Sequence, residues 1–172
     1  MRIQKAWEVL GDCQVALKML EEEKSLERWR IVWAAAVCLI RTVGHVLDKV
    51  DCANDPTLKK ITAQHYQHWK GEASEHLIFR EFIEKERNNI LKEYQINIHP
   101  LEDVSVAVQG VLRPVDGGEA IDLADVFNIG ENIYRPVVDG PWEGEDARDI
   151  LETAIRWWVA ELQLIEKETE IA

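Results

Sequence analysis

The chain has 172 residues, 47% hydrophobic and 30% charged, which suits one domain with a proper core and argues against intrinsic disorder. Its formal net charge of −12 repels phosphate backbones at long range and argues against non-specific nucleic-acid binding, leaving room only for a small basic site in an acidic surround. Cys13, Cys38 and Cys52 are odd in number and lack Cys-x-x-Cys spacing, so reduced core thiols fit better than a disulfide framework or a zinc ribbon.

The chain starts Met1-Arg2-Ile3-Gln4-Lys5 and leads into an amphipathic pattern rather than an apolar signal core, so a cytoplasmic location is expected. Ile3, Ala6, Leu10, Cys13, Leu17 and Leu20 alternate steps of three and four, which places them on one face of a helix over 3–23. A second helix is predicted from Ser25 to about Lys49, with a stripe of Trp29, Trp33, Ala36, Ile40, Val43, Leu47 and Val50. Its middle is apolar all round, the mark of a central bundle helix. The apolar run from Ile31 to Ile40 is about half a membrane span, so no membrane partner is expected. A second stripe carries Ala34, Cys38, Arg41, His45 and Asp48, with Arg41 and His45 one turn apart.

Asp55-Pro56 supplies an N-cap followed by Pro at the first helical position. Leu58, Ile61, His65 and Trp69 then give a third helix that ends or bends at Gly71. Ser74 is a candidate cap for a fourth, running to about Tyr94. The period changes at Val104, Val106 and Val108, which alternate with Ser105, Ala107 and Gln109 as a half-buried strand does. Asp116-Gly117-Gly118 is turn chemistry, and Ile121 and Leu123 alternate on the return. A β-hairpin is therefore predicted within 102–125, and a loop over 126–140. A last helix, opening near Pro141, carries Ala147, Leu151, Ala154, Trp158 and Ile165 on one face. The acidic Glu143, Glu145 and Asp146 suit its N-terminal dipole. The expected fold is mainly α: a single domain over 1–172, an antiparallel bundle of four to five helices with a small β-hairpin insertion in the region 100–140. The seven tryptophans are many for this length, and any left exposed would mark an interface.

Motif chemistry is sparse. His65 and His68 lie at i,i+3 with Glu72 one turn on, but no second ligand cluster accompanies them. They read as ordinary, partly exposed histidines, with no metal expected. No nucleophile elbow, P-loop or dinucleotide fingerprint is present, and Gly117-Gly118 does not lead into a helix, so no cofactor is expected.

The exception is Arg87-Asn88-Asn89-Ile90-Leu91-Lys92-Glu93-Tyr94. It resembles the signature of the HEPN superfamily: an Arg, a polar residue, a few more positions, a His, then any residue and a Tyr. Asn88 matches the polar residue and Tyr94 the tyrosine, while Lys92 stands where the family has His. The setting is similar too, a helical bundle with the motif on a late helix. The resemblance implies a protein of bacterial defence or toxin–antitoxin type. Many such proteins are metal-independent ribonucleases that act as homodimers. In that chemistry an RNA 2′-hydroxyl attacks the adjacent phosphate, the Arg stabilises phosphoryl charge and the His moves protons. Where the partner is a nucleotidyltransferase, the Tyr accepts AMP. Those roles would fall on Arg87, Lys92 and Tyr94.

Lys92 weighs against full activity. An imidazole titrates near neutrality and serves as both acid and base, whereas a solvated ammonium keeps its proton. At about 100° per residue, Lys92 also lies about 140° round from Arg87, so a joint site needs a second subunit or a helix end near residue 91. His45 and His76 are alternative imidazoles, His76 sharing the Arg80–Arg87 face. The reading that follows is a catalytically weak or silent interaction module, docking through Trp-rich faces. The alternative is a dimeric, metal-independent RNase working through Arg87, Lys92 and Tyr94, with RNA disfavoured by the net charge.

Overall fold

The computed structural model of the protein describes residues 2–99, 103–131 and 133–172. Residues 100–102 and 132, which the sequence assigns to the insertion, lie outside that set. Five α-helices are described: α1 (Gln4–Glu22), α2 (Leu26–Val46), α3 (Pro56–Lys70), α4 (Lys85–Glu93) and α5 (Ala147–Ile171). Strands β1 (Asp103–Leu112) and β2 (Ile121–Glu131) form one antiparallel hairpin. The fold is thus the mainly α bundle with a hairpin that the periodicity implies.

Helix α2 is the centre. Trp29, Trp33, Ala36, Ile40 and Val43 are buried, as their stripe requires. The stripe fails at Val50, which is 51% exposed. The cause is a π-helical turn, Leu47–Asp51, that follows α2 directly. A π turn adds a residue and rotates everything beyond it out of phase. The rotation has a use: Asp51 reaches back to the start of α1, which has no side-chain cap of its own. Its Oδ1 accepts from Lys5 N–H at 3.0 Å and its Oδ2 from Ala6 N–H at 2.9 Å. Two orphan donors of a helix start are so satisfied from across the bundle. By length and composition Leu26–Asp51 could cross a membrane. Here its apolar stripe packs into the bundle core against α1 and α5.

The fourth predicted helix is three segments. Ser74–His76 is a 3-10 turn, Ile78–Glu84 is π-helical, and α4 follows. Ser74 opens the turn and makes no capping bond. The last helix starts at Ala147, later than Pro141, because Asp146 caps it by accepting from Arg148 N–H at 2.9 Å.

All seven tryptophans are buried or half-buried. Trp29 and Trp33 stack at 5.5 Å, and Trp69, Trp157 and Trp158 cluster at centroid distances of 4.9–5.3 Å. They build the core and leave no Trp-rich docking face.

The hairpin differs from expectation in two ways. It runs to Glu131, so part of the predicted loop is strand. Its side chains are also almost all exposed rather than half-buried, since neither strand packs on a helix. Below it the chain is pinned by the Ile98↔Val137 bridge and by His99 N–H to Pro136 O at 2.9 Å.

Candidate functional site

A cavity of about 330 Å³ opens between the C-terminal half of α2, α3 and the second π segment. Arg41 and His45 line it from successive turns of α2, and Asp48 and Lys49 from the π turn. Helix α3 adds Thr62, Tyr66 and Gln67. Both π segments border the cavity, and such turns recur at functional sites because they re-aim side chains.

Gly44 holds one wall. A Cβ there would stand 3.0 Å from Trp158 Cη2, so only glycine lets α5 press so close. Trp158 Nε1–H donates to Ile40 O at 2.9 Å, fixing that contact. The Arg41 guanidinium lies 5.9 Å over the Phe79 ring and 3.5 Å from Glu84 Oε1. Lys70 approaches the same oxygen at 3.7 Å. Lys49 pairs with Asp48 at 2.7 Å.

Burial pushes the His45 imidazole below its ordinary range, and the charges of Arg41 and Arg87 push the same way. Asp48 opposes them only in part. Burial and the two guanidinium charges thus favour the neutral form of the His45 imidazole.

Helix α4 sorts the motif residues. Glu86 and Ile90 face the core. Arg87 is half-buried, and its Nη1–H donates to Asn88 Oδ1 at 2.9 Å. Lys92 is exposed. The helix ends at Glu93, two residues later than a composite motif site would need, and Tyr94 leaves it in the left-handed region at φ 50°. Tyr94 N–H bonds Ile90 O at 3.0 Å and Gln95 N–H bonds Asn89 O at 3.3 Å. The 5→1 bond from Tyr94 N–H to Ile90 O is that of a left-handed helix cap, with Tyr in the place glycine usually holds. The Tyr94 side chain is 68% exposed. The Arg87 charge thus bears on His45 although Arg87 does not line the cavity, while Lys92 and Tyr94 face solvent.

His65 and His76 serve the core. His65 bonds Glu161 Oε2 and Glu168 Oε2, each at 3.2 Å. Trp69 Nε1–H donates to the same Glu161 oxygen at 2.8 Å. His76 packs edge-on to Trp157 and lies 3.9 Å from Glu161 Oε1. Burial opposes the Glu161 charge, but the bonds from His65 and Trp69 prevail and hold its carboxyl below the usual range. The Glu161 bond raises His65, against burial. This network escaped the sequence reading, although Glu161 sits three residues after Trp158 on the apolar stripe of α5. An acid in that position demands a buried partner. Arg135 was missed as well; it is fully buried, 5.6 Å over Trp29.

No protein-family model, curated protein or solved structure matches the chain. Function must be argued from the site.

Proposed function

We propose that the chain is a HEPN-like bundle of bacterial defence or toxin–antitoxin type. It acts as a catalytically weak or silent binding module that takes a phosphate-bearing ligand at the Arg41–His45 end of the cavity, under the added charge of Arg87. The observation that carries this reading is the placement of Arg41 and His45 on successive turns of α2 along a 330 Å³ cavity, with the Arg87 charge also bearing on the imidazole, in a protein of net charge −12. Such a spot attracts phosphate locally while the rest of the surface repels it. Lys92, exposed and apart from Arg87, leaves the motif without an acid–base partner of its own. Fluorescence anisotropy with a short single-stranded RNA tests it. Arg87→Ala is expected to weaken binding about tenfold or more, the loss of one charge-assisted bond, and Lys92→Ala to leave it unchanged. Equal affinity in wild type and Arg87→Ala would remove Arg87 from the site.

A ribonuclease reading is favoured by the placement of His45 beside Arg41 on the cavity wall, where burial and the neighbouring charges favour the neutral imidazole. A neutral imidazole takes the proton of a 2′-hydroxyl as that oxygen bonds to phosphorus. The P–O5′ bond then breaks and the protonated imidazole returns the proton to O5′. Arg41 and Arg87 would hold the phosphoryl oxygens. This reading requires RNA cleavage that is lost in both Arg87→Ala and His45→Ala. Cleavage that appears only in Lys92→His would instead mark a decayed site.

A further inference from the structure

We propose that the hairpin is the contact through which two copies of this chain associate, face to face, about a two-fold axis running along the hairpin's length. The inference is independent of what the cavity binds.

Directly opposed residues of an antiparallel pair point to the same face. The register opposes Val106 to Phe127, Val108 to Asp125, Gly110 to Leu123 and Leu112 to Ile121. One face therefore carries Val106, Val108, Leu112, Ile121, Leu123 and Phe127, with Asp125 as its one charge. The other face presents Ser105, Ala107, Gln109, Val111, Asp122, Ala124, Val126 and Asn128 and is smaller and more polar. The hairpin is amphipathic, yet its apolar face packs on no helix among the described residues. An isolated two-stranded hairpin is marginal in water, and an apolar patch of this size on a monomer marks an interface.

The area and the shape indicate a second copy. The six apolar side chains are each 44–57% exposed, roughly 600 Å² per face. Two such faces together bury roughly 1,200 Å², the lower end of the range for a stable protein interface. Edge-to-edge pairing would lengthen the sheet and leave this face wet. Packing face to face covers it. Two isologous arrangements exist. A two-fold axis across the strands lays β2 on β2, and where it passes at Asp125 it sets one carboxylate against the other. An axis along the hairpin lays β1 of one copy on β2 of its partner. Leu123 then covers Gly110, where the space a Cβ would occupy has nothing within 4 Å. Phe127 meets Val106, Ile121 meets Leu112, and Asp125 meets Val108 rather than another acid. Large residues fall on small ones, and the like-charge contact is avoided.

Sedimentation of the full chain across a concentration series tests the proposal. Wild type is expected to show a monomer–dimer equilibrium. Phe127→Glu with Leu123→Lys should weaken it at least about 30-fold, as loss of interface anchors does. Asp125→Asn should tighten it, because the amide is cheaper to desolvate than the carboxylate. Val111→Lys with Val126→Glu, on the opposite face, should leave it unchanged. A wild type that stays monomeric throughout assigns the face to some other partner and overturns the proposal. So does a dimer that survives the first pair or is lost equally with the opposite-face pair. Melting of each variant reports on the bundle, which the hairpin does not touch.

Discussion

Tyr94 and Glu86 are held against their local preferences. A non-glycine residue at positive φ costs about 1 kcal/mol or more, and such strain gathers at functional positions. Tyr94 adopts φ 50° with its side chain 68% exposed, so little packing offsets the cost. Tyr94→Gly is expected to stabilise the protein by about 0.5–1 kcal/mol in urea unfolding; a loss of stability would show that the ring holds α4 in place. Glu86 is buried, accepts from Asn97 N–H at 3.4 Å, and is pushed by that burial above the usual carboxyl range. An acid whose folded pKa is raised favours folding at low pH and opposes it once ionised. Glu86→Gln keeps an acceptor and removes the charge. Its melting temperature should exceed wild type at pH 7, and the difference should vanish below the ordinary glutamate range.

Elements of this bundle are tied together by single carboxylates. Asp51 serves the start of α1 with two bonds, and Asp51→Ala should cost about 1–2 kcal/mol, the upper range for a cap. Glu161 joins α5 to α3 through His65 and Trp69. Glu161→Ala should cost about 1–3 kcal/mol, since it strands the buried Trp69 donor and leaves the half-buried His65 to Glu168 alone. The pair also sets a pH window. The raised His65 contributes stability that is complete below the ordinary imidazole range and is lost as pH rises through its folded value. The lowered Glu161 contributes stability present above the ordinary carboxyl range and lost as pH falls through its folded value. Their joint contribution is complete at about pH 5–6, and Glu161→Gln should flatten both limbs of a melting-temperature profile. The stripes of α1, α2 and α5 were legible because burial of one helical face is a local, periodic signal. Val50 was misplaced because no residue type announces a π turn. The alternation at Val104–Val108 showed an amphipathic strand but not what covers it, hence the expectation of half-burial. Arg87 was legible as one site residue. The reach of its charge to His45 was not, since that depends on how α4 packs on α2.

At the scale of the whole molecule the chain is a bundle with an appendage, and the two differ in what holds them. The bundle is cemented by its tryptophan core and by the carboxylates above. Among the described residues the hairpin has its own ladder, a bulge near its base between Val104 and Ser105, and an apolar face that packs on no helix. Its stem is closed from the bundle side by the Ile98↔Val137 bridge, by His99 N–H to Pro136 O and by Val138 N–H to Asn97 O at 3.1 Å. Those bonds bring residues 99 and 133 toward each other whatever lies between, so the bundle does not need the hairpin to close its chain. Replacing residues 100–132 with a short Gly/Ser linker should therefore leave a cooperatively folding protein, destabilised by no more than about 0.5 kcal/mol, the scale of a surface change. Affinity for phosphate-bearing ligands should persist, because every residue lining the cavity belongs to the bundle. Self-association should disappear. A collapse of the unfolding transition would mean that the hairpin stabilises the bundle in a way its lack of helix contacts does not suggest. Retained binding with lost association would separate the molecule's two surfaces: one cationic and set among helices, the other apolar and held clear of them.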